Sequence, residues 1–443
     1  MKITSQLLRC SAVGALGGLL FGFDTAVISG TTQQLTNVFH LSAALLGTTV
    51  SIALWGTVAG CVGAGMLGQW LGGRTALRVM AVLYIISAAG CAFAWDWSAL
   101  LVFRFIGGLG IGGSSVLGPV YIAEVAPAEW RGRLVGLFQI NVVLGILAAY
   151  LSNFVISSLR IGVYEWRWEL GIAAAPALLF LIMLYTIPQS PRWLATRGRW
   201  DEAFQILEHL GAENASDEIG AIRASLESTD RETRVPLFQR KYALPIFLAV
   251  SIGFFNQLAG VNAILYYATD IFSFAGFSRL SGNFQSVLIG LMNLVGTIIG
   301  MSLIDRAGRK TLLLFGSVGT GICLAFVSAI FFTHSHADLL VWFLMAFICF
   351  FAASQGAVIW VYIAEVFPNQ VRAKGQSLGS GSHWVMNAVI AFAFPVVAQR
   401  SSGAPFLFFA IMMVVQLVVV WKVYPETKGQ SLEELQDRLQ TIR

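Results

Sequence analysis

The feature that most constrains this chain is an apolar run, about 20 residues long, that recurs with short polar breaks along nearly its whole length. A helix rises 1.5 Å per residue, so one such run matches the ~30 Å hydrocarbon core of a bilayer. Lipid offers no partner to a bare amide or carbonyl, and a helix satisfies its own backbone. Composition fits this reading. Only 12% of the 443 residues are charged, against roughly 25% in soluble domains, and the mean hydropathy is +0.74. The 45 glycines suit membrane helices that pack closely. The sequence therefore predicts an all-α membrane protein with twelve spans. They fall near 7–31, 43–67, 75–95, 98–126, 132–158 and 168–187, then 242–274, 283–304, 311–333, 338–366, 373–399 and 403–424.

The polar residues organise these spans. The net charge of +5 sits in short clusters between spans rather than on one face of a domain, which excludes nucleic-acid binding. Lys2 and Arg9 precede an apolar stretch that contains Asp24 and has no small-residue cleavage site, so it reads as the first span and not as a signal peptide. Arg104 lies inside a span, and Arg160, Arg167, Arg279 and Arg400 fall on the side opposite the N-terminus. Every other Lys and Arg shares the N-terminal side, which the positive-inside rule makes cytoplasmic for both termini. Between spans six and seven the segments Asp201–Leu210 and Glu218–Glu227 have amphipathic helical spacing. The expected organisation is a six-helix half over 1–190, a cytoplasmic linker over 191–241, a second six-helix half over 242–425 and a tail over 426–443. The five cysteines are scattered and form no C-x-x-C, as buried hydrophobes would be.

The halves repeat one another. Val120-Tyr-Ile-Ala-Glu-Val125 returns letter for letter as Val361-Tyr-Ile-Ala-Glu-Val366, giving Glu124…Arg131 and Glu365…Arg372 at one spacing. Gly72-Gly-Arg74 corresponds to Gly308-Arg-Lys310, and Ile187-Pro-Gln-Ser190 to Tyr424-Pro-Glu-Thr427. Internal repeats in a membrane protein point to a transporter with its site near the midplane.

Two kinds of polar residue then stand out inside the spans. An ionisable group at a helix centre costs at least ~2.5–3.5 kcal/mol, which makes Asp24 and Arg104 functional candidates. With span one ending near Thr32 and span four starting near Asp96, both lie roughly 12 Å below the same surface and can pair. A proton site follows: burial favours the neutral carboxyl, the guanidinium favours the charged one, and small movements shift the balance. The second kind is a set of amides and indoles, Gln139, Asn256, Gln257, Asn262, Asn293, Trp360, Trp384 and Asn387. Amides both donate and accept, as sugar hydroxyls do, and indoles offer a flat apolar face with one donor. At that depth such groups must face each other or a cavity. His334-Ser-His336 lacks the further ligands a metal site needs, and neither a metal nor another cofactor is expected.

In order along the chain stand Arg131-Gly-Arg133, Pro188-Gln-Ser-Pro-Arg-Trp-Leu194, Gln257-Leu-Ala-Gly-Val-Asn262, Asp305-Arg-Ala-Gly-Arg-Lys310 and Pro425-Glu-Thr-Lys-Gly429. By these motifs the chain resembles the sugar porters of the major facilitator superfamily over nearly its full length. Phe23-Asp-Thr-Ala-Val-Ile-Ser29 is most similar to the proton-coupled bacterial and plant monosaccharide symporters. The resemblance implies the major facilitator fold of two pseudo-symmetric six-helix bundles. It implies proton coupling at Asp24 and Arg104. It implies sugar contacts at Gln139, Asn256, Gln257, Asn262, Asn293, Trp360, His383, Trp384 and Asn387, with outer-gate aromatics at Tyr266 and Tyr267. It also implies an inter-half cytoplasmic latch of Glu124, Arg131, Arg192, Asp305, Arg306, Arg309, Glu365 and Arg372. Three places depart from the family pattern. Asn256 replaces Gln, His383 replaces Asn or Gln, and the loop Gly65–Arg74 lacks the usual charge, which predicts a weaker latch in the first half.

The expectation is a proton-coupled monosaccharide symporter, for a hexose such as glucose or a pentose such as xylose. It would be a monomer in the plasma membrane, a bacterial inner membrane in particular, with sugar, protons and lipid as its partners. A facilitative uniporter is the alternative that Asp24 disfavours. A non-transporting sugar sensor would be expected to carry a long cytoplasmic tail. No nucleophile–base pair or ligand cluster in the spans marks an enzyme, and a drug exporter of the same superfamily would want a more apolar cavity.

Overall fold

A computed structural model describes residues 4–212, 214–232 and 236–428, so Lys2 and the tail from 429 onward lie outside the described residues. All regular structure among the described residues is helical. Twelve segments are long and apolar enough to span a membrane. They are Ser5–Phe39, Ala43–Leu71, Gly73–Ala92, Trp97–Val125, Glu129–Ser158 and Glu165–Met183, then Arg240–Tyr266, Arg279–Ala307, Arg309–Thr333, Ala337–Glu365, Arg372–Arg400 and Ala404–Val423. We call them spans one to twelve. The linker forms helices at Pro191–Thr196, Trp200–Leu210 and Ala215–Glu232, which contain both amphipathic segments.

Contacts divide the chain into two compact units. The first holds residues 1–27, 52–152 and 162–234, and the second holds 28–51, 153–161 and 235–443. In the first unit glycine sets the spacing of the helices. A Cβ at Gly22 would lie 1.8 Å from the Val142 carbonyl oxygen, and one at Gly145 would lie 2.1 Å from that of Leu19. Spans one and five therefore touch backbone to backbone, the close approach that small residues permit in membranes. Spans two and four meet in the same way where Gly108 faces the Ala53 carbonyl.

The second unit contains two breaks that sequence did not predict as breaks. Span seven, expected as one helix over 242–274, is Ala243–Leu258 and Val261–Tyr266, with Ala268–Phe274 beyond. Gly260 makes the first interruption at φ 82°, a conformation side chains resist. Span ten stops at Ala353 and restarts at Gln355, with Ser354 non-helical at φ −125°, ψ −88°. Span six is likewise interrupted between Gly171 and Ala174. Broken helices free backbone carbonyls at membrane depth, a habit of transporters at their binding sites. Span one also runs on to Phe39, well past its expected end near Thr32.

Candidate functional site

In the first unit Asp24 lies two residues after the Gly22 contact, so the packing of span one on span five fixes where its carboxylate sits. Asp24 interacts electrostatically with Arg104, which is 4% exposed. The two groups expected to pair are thus within electrostatic reach of one another. Tyr84 comes within electrostatic reach of Asp24, and its hydroxyl lies 3.0 Å from Ser114 Oγ. Cys91 feels both Asp24 and Arg104. Sequence reading missed this tyrosine–serine pair, because hydroxyls scattered through apolar helices carry no spacing signal. Gln139, on span five of this unit, is half-buried.

The other amides belong to the second unit. Asn262 Nδ2 donates to Gln257 Oε1 at 3.0 Å, and Gln257 Nε2 lies 3.3 Å from Asn256 Oδ1 and 3.1 Å from His383 Nε2. One amide chain thus joins both pieces of broken span seven to span eleven. Trp360 and Trp384 flank the imidazole, with ring centroids 5.0 and 5.2 Å away. Trp360 remains 39% exposed. Asn387 Nδ2 donates to the Tyr266 hydroxyl at 3.0 Å, while its Oδ1 has no hydrogen-bond partner among the described residues. A buried amide oxygen left bare is costly, and a sugar hydroxyl would satisfy it. Asn293 is also buried, on span eight.

Gln355 was not foreseen. It opens the second piece of span ten, where its carbonyl also accepts from Asn256 Nδ2 at 3.4 Å and its side chain reaches Thr320 and Met413. The polar Ser354-Gln-Gly356 run inside an apolar span was the signal available. Of the two tyrosines expected at an outer gate, Tyr266 accepts from the side-chain amide of Asn387. Tyr267 is buried, donating to the Ala391 carbonyl at 2.7 Å and stacking on Phe394.

The charges expected to form a latch find partners inside their own units. In the second unit Arg309 forks onto Glu365 at 2.9 and 3.2 Å, and Asp305 lies 3.2 Å from the same guanidinium. Thr427 donates to Glu365 at 2.6 Å, Arg372 to the Phe367 carbonyl at 3.3 Å, and the Arg306 carbonyl accepts from Lys428. A bidentate guanidinium–carboxylate pair is among the stronger polar contacts available. Among the described residues of the first unit there is no equivalent fork at Glu124. Glu124 bonds Ser190 and faces Arg192, which donates to Ser225, and Arg131 reaches the Ala126 carbonyl. Arg131 also faces Glu218 of the linker, whose carboxyl burial holds above the usual range while Arg131 pulls it back. The stretch expected as an uncharged loop is helical as far as Leu71, and its Gln69 carbonyl accepts from Trp193 Nε1 at 2.9 Å and Arg197 at 3.0 Å.

The comparisons agree with this geometry. The profile of the family described as "Sugar (and other) transporter" matches residues 10–439. The chain is 33% identical to the D-xylose-proton symporter of Escherichia coli, over 98% of this chain and 96% of that protein. It is 35% identical to the arabinose-proton symporter of Bacillus subtilis, over 97% and 94%. It is also 35% identical to the glucose transporter GlcP of Staphylococcus epidermidis, over 96% of each. Among solved structures, the inward-open xylose transporter XylE from E. coli superposes with a TM-score of 0.87 at 32% identity, covering 98% of this chain and 99% of that one. These relatives are transporters and not enzymes, and their fold is the twelve-helix fold described above. The chain belongs to the sugar transporter family of the major facilitator superfamily.

Proposed function

We propose that this protein is a proton-coupled monosaccharide symporter working by alternating access, with a pentose such as xylose or a hexose such as glucose as its cargo. The observation that carries the reading is the charge pair of Asp24 and Arg104 buried within the spans. A carrier without coupling has no need of an ionisable carboxylate there, and membranes keep such groups for function. The Gln257–Asn262–Asn256–His383 amide chain and the partly exposed Trp360 supply the sugar side of the reading. Gln139, Asn293, Trp384 and Asn387 complete the proposed set of sugar contacts, and the printed names of the relatives span xylose, arabinose and glucose.

In this reading an ionised Asp24 is held by Arg104, and a protonated one loses most of that attraction and lets the helices move. Proton binding and sugar binding then favour the same conformational change, which couples the two gradients. The protein works as a monomer in the bacterial inner membrane with both termini in the cytoplasm, as the distribution of basic residues supports. Glu365 with Arg309, and Glu124 with Arg192, hold the helix ends on the cytoplasmic side. Competition uptake into proteoliposomes, with a panel of monosaccharides and an imposed pH gradient, tests the assignment. Uptake that is indifferent to the gradient would select the uniporter instead.

A further inference from the structure

Two cations in the first unit have no acid to answer them. Arg74 and Arg78 stand about one helical turn apart at the start of span three, and both are half-buried. Their guanidiniums lie against the end of span six. Arg74 Nη1 donates to the Ile187 carbonyl and Arg78 Nη2 to the Leu184 carbonyl, each at 3.1 Å. The Arg78 guanidinium also sits 3.9 Å from the centre of the Tyr185 ring. The groups within electrostatic reach of Arg74 are Arg78 and Tyr121, and among the described residues no carboxylate pairs with either guanidinium. Like charges four residues apart on a helix repel, and each guanidinium carries five N–H donors, most of them left over here.

The surface that leads away from this pair is apolar. On span three, Val82 and Ile86 continue the four-residue spacing of Arg74 and Arg78, and both are exposed. On span six, Leu178 and Ile182 lead down to Tyr185, and all three are exposed. The two spans run side by side, since Arg167 near the start of span six donates to the Ala92 carbonyl at the end of span three at 2.7 Å. The second half offers a comparison. Lys310 takes the place of Arg74 and donates to the Trp421 carbonyl at 2.9 Å, but Leu314 stands where the first half has Arg78. Packing of the third span of a half on its sixth therefore does not require the second cation.

We propose that Arg74 and Arg78 bind the phosphate of an anionic phospholipid, whose chains lie along Val82, Ile86, Leu178 and Ile182. Guanidiniums match phosphate oxygens with forked hydrogen bonds, and basic pockets between membrane helices take anionic headgroups. Tyr185 stands at the level where aromatic rings meet the headgroups. The phosphate relieves the repulsion between the two cations and joins span three to the end of span six. A headgroup without an amine suits the place, because the neighbouring Gln69 and Trp70 supply no carboxylate to receive one. Phosphatidylglycerol is the simplest lipid of this kind. The inference is independent of the coupling reading.

The test is native mass spectrometry of the purified full chain, titrated in detergent with dioleoylphosphatidylglycerol or dioleoylphosphatidylcholine. The wild type should retain phosphatidylglycerol at lower concentration than phosphatidylcholine. Arg78→Leu, which copies the second half, should weaken phosphatidylglycerol by roughly tenfold, the loss of one charge-assisted contact, and leave phosphatidylcholine unchanged. The double variant Arg74→Gln with Arg78→Gln should weaken it further. If the double variant does not fold, Arg78→Leu alone decides. Lys310→Gln, which removes the single cation of the second half, should bind as the wild type does. Equal retention of the two lipids, or of phosphatidylglycerol by wild type and Arg78→Leu, would overturn the proposal. An equal loss in Lys310→Gln would reduce the effect to general charge attraction and overturn it too. So would displacement of the lipid by inorganic phosphate at equal concentration, which would make this a site for a soluble anion.

Discussion

Gln189 and Glu426 occupy equivalent places in the two repeats. Each closes the turn that leads into the third span of its half, where Gly72 and Gly308 have positive φ. Gln189 Oε1 accepts from the Arg74 amide at 3.0 Å, and Glu426 accepts from the Arg309 and Lys310 amides at 2.8 and 3.0 Å. The chemistry differs with the surroundings. Gln189 also donates, from Nε2 to the Leu71 carbonyl at 3.2 Å, while both Glu426 oxygens face N–H groups. The amide is needed in one half and the carboxylate in the other.

The two should therefore not exchange. Glu426→Gln turns an NH2 toward a backbone N–H and loses a charge-assisted bond, at a cost of about 1.5–3 kcal/mol. Gln189→Glu points an anion at the Leu71 carbonyl and costs a similar amount. Thermal unfolding in detergent should show both variants melting below wild type, with the double swap no better than either single.

The same repeat places Gly73 where the second half has Arg309, so Glu124 lacks the fork that Glu365 enjoys. Glu365→Gln should then disturb the N-terminal side more than Glu124→Gln. A contact made in one conformation shifts the equilibrium by its differential energy and no more. Cysteine labelling from the N-terminal side should rise without added sugar in Glu365→Gln, and less in Glu124→Gln. Equal responses would reduce both acids to caps of helix ends.

Gly22→Val should prevent assembly of the first six spans. The new Cβ would overlap the Val142 carbonyl, a backbone atom that cannot rotate away. Loss of folded protein in detergent, by size-exclusion chromatography, is the expected result. Gly63→Ala, where a Cβ meets nothing within 4 Å, should behave as wild type.

Trp360→Ala and Gln257→Ala should each weaken sugar binding while leaving the protein inserted. A hydrogen bond to a neutral hydroxyl contributes about 0.5–1.5 kcal/mol, roughly three- to tenfold in affinity. Gln257→Ala should be the worse of the two, because it also strands Asn262 and the His383 ring. Equilibrium binding of xylose and glucose to purified protein measures this directly.

The twelve spans, the repeat and the pairing of Asp24 with Arg104 were legible in the sequence because hydropathy and buried charge are local properties. The breaks at Gly260 and Ser354 were not. A break costs hydrogen bonds that only neighbouring helices can restore, and no window of sequence contains those neighbours. Asn256 reaches the Gln355 carbonyl beside the second break from nearly a hundred residues away, a neighbour no sequence window includes. The end of span one was misread for a related reason. Span one stays helical to Phe39, so its polar Thr31–Gln34 stretch marks no end of the helix.

The central claim is that Asp24 couples proton and sugar movement, and counterflow and accumulation in proteoliposomes containing Asp24→Asn test it most directly. The asparagine keeps the shape of the neutral acid but exchanges no proton. The account predicts sugar binding and counterflow that persist without pH dependence, and no accumulation of sugar against its gradient when a proton gradient is imposed. Accumulation at the wild-type level would contradict it and leave Asp24 as a structural partner of Arg104.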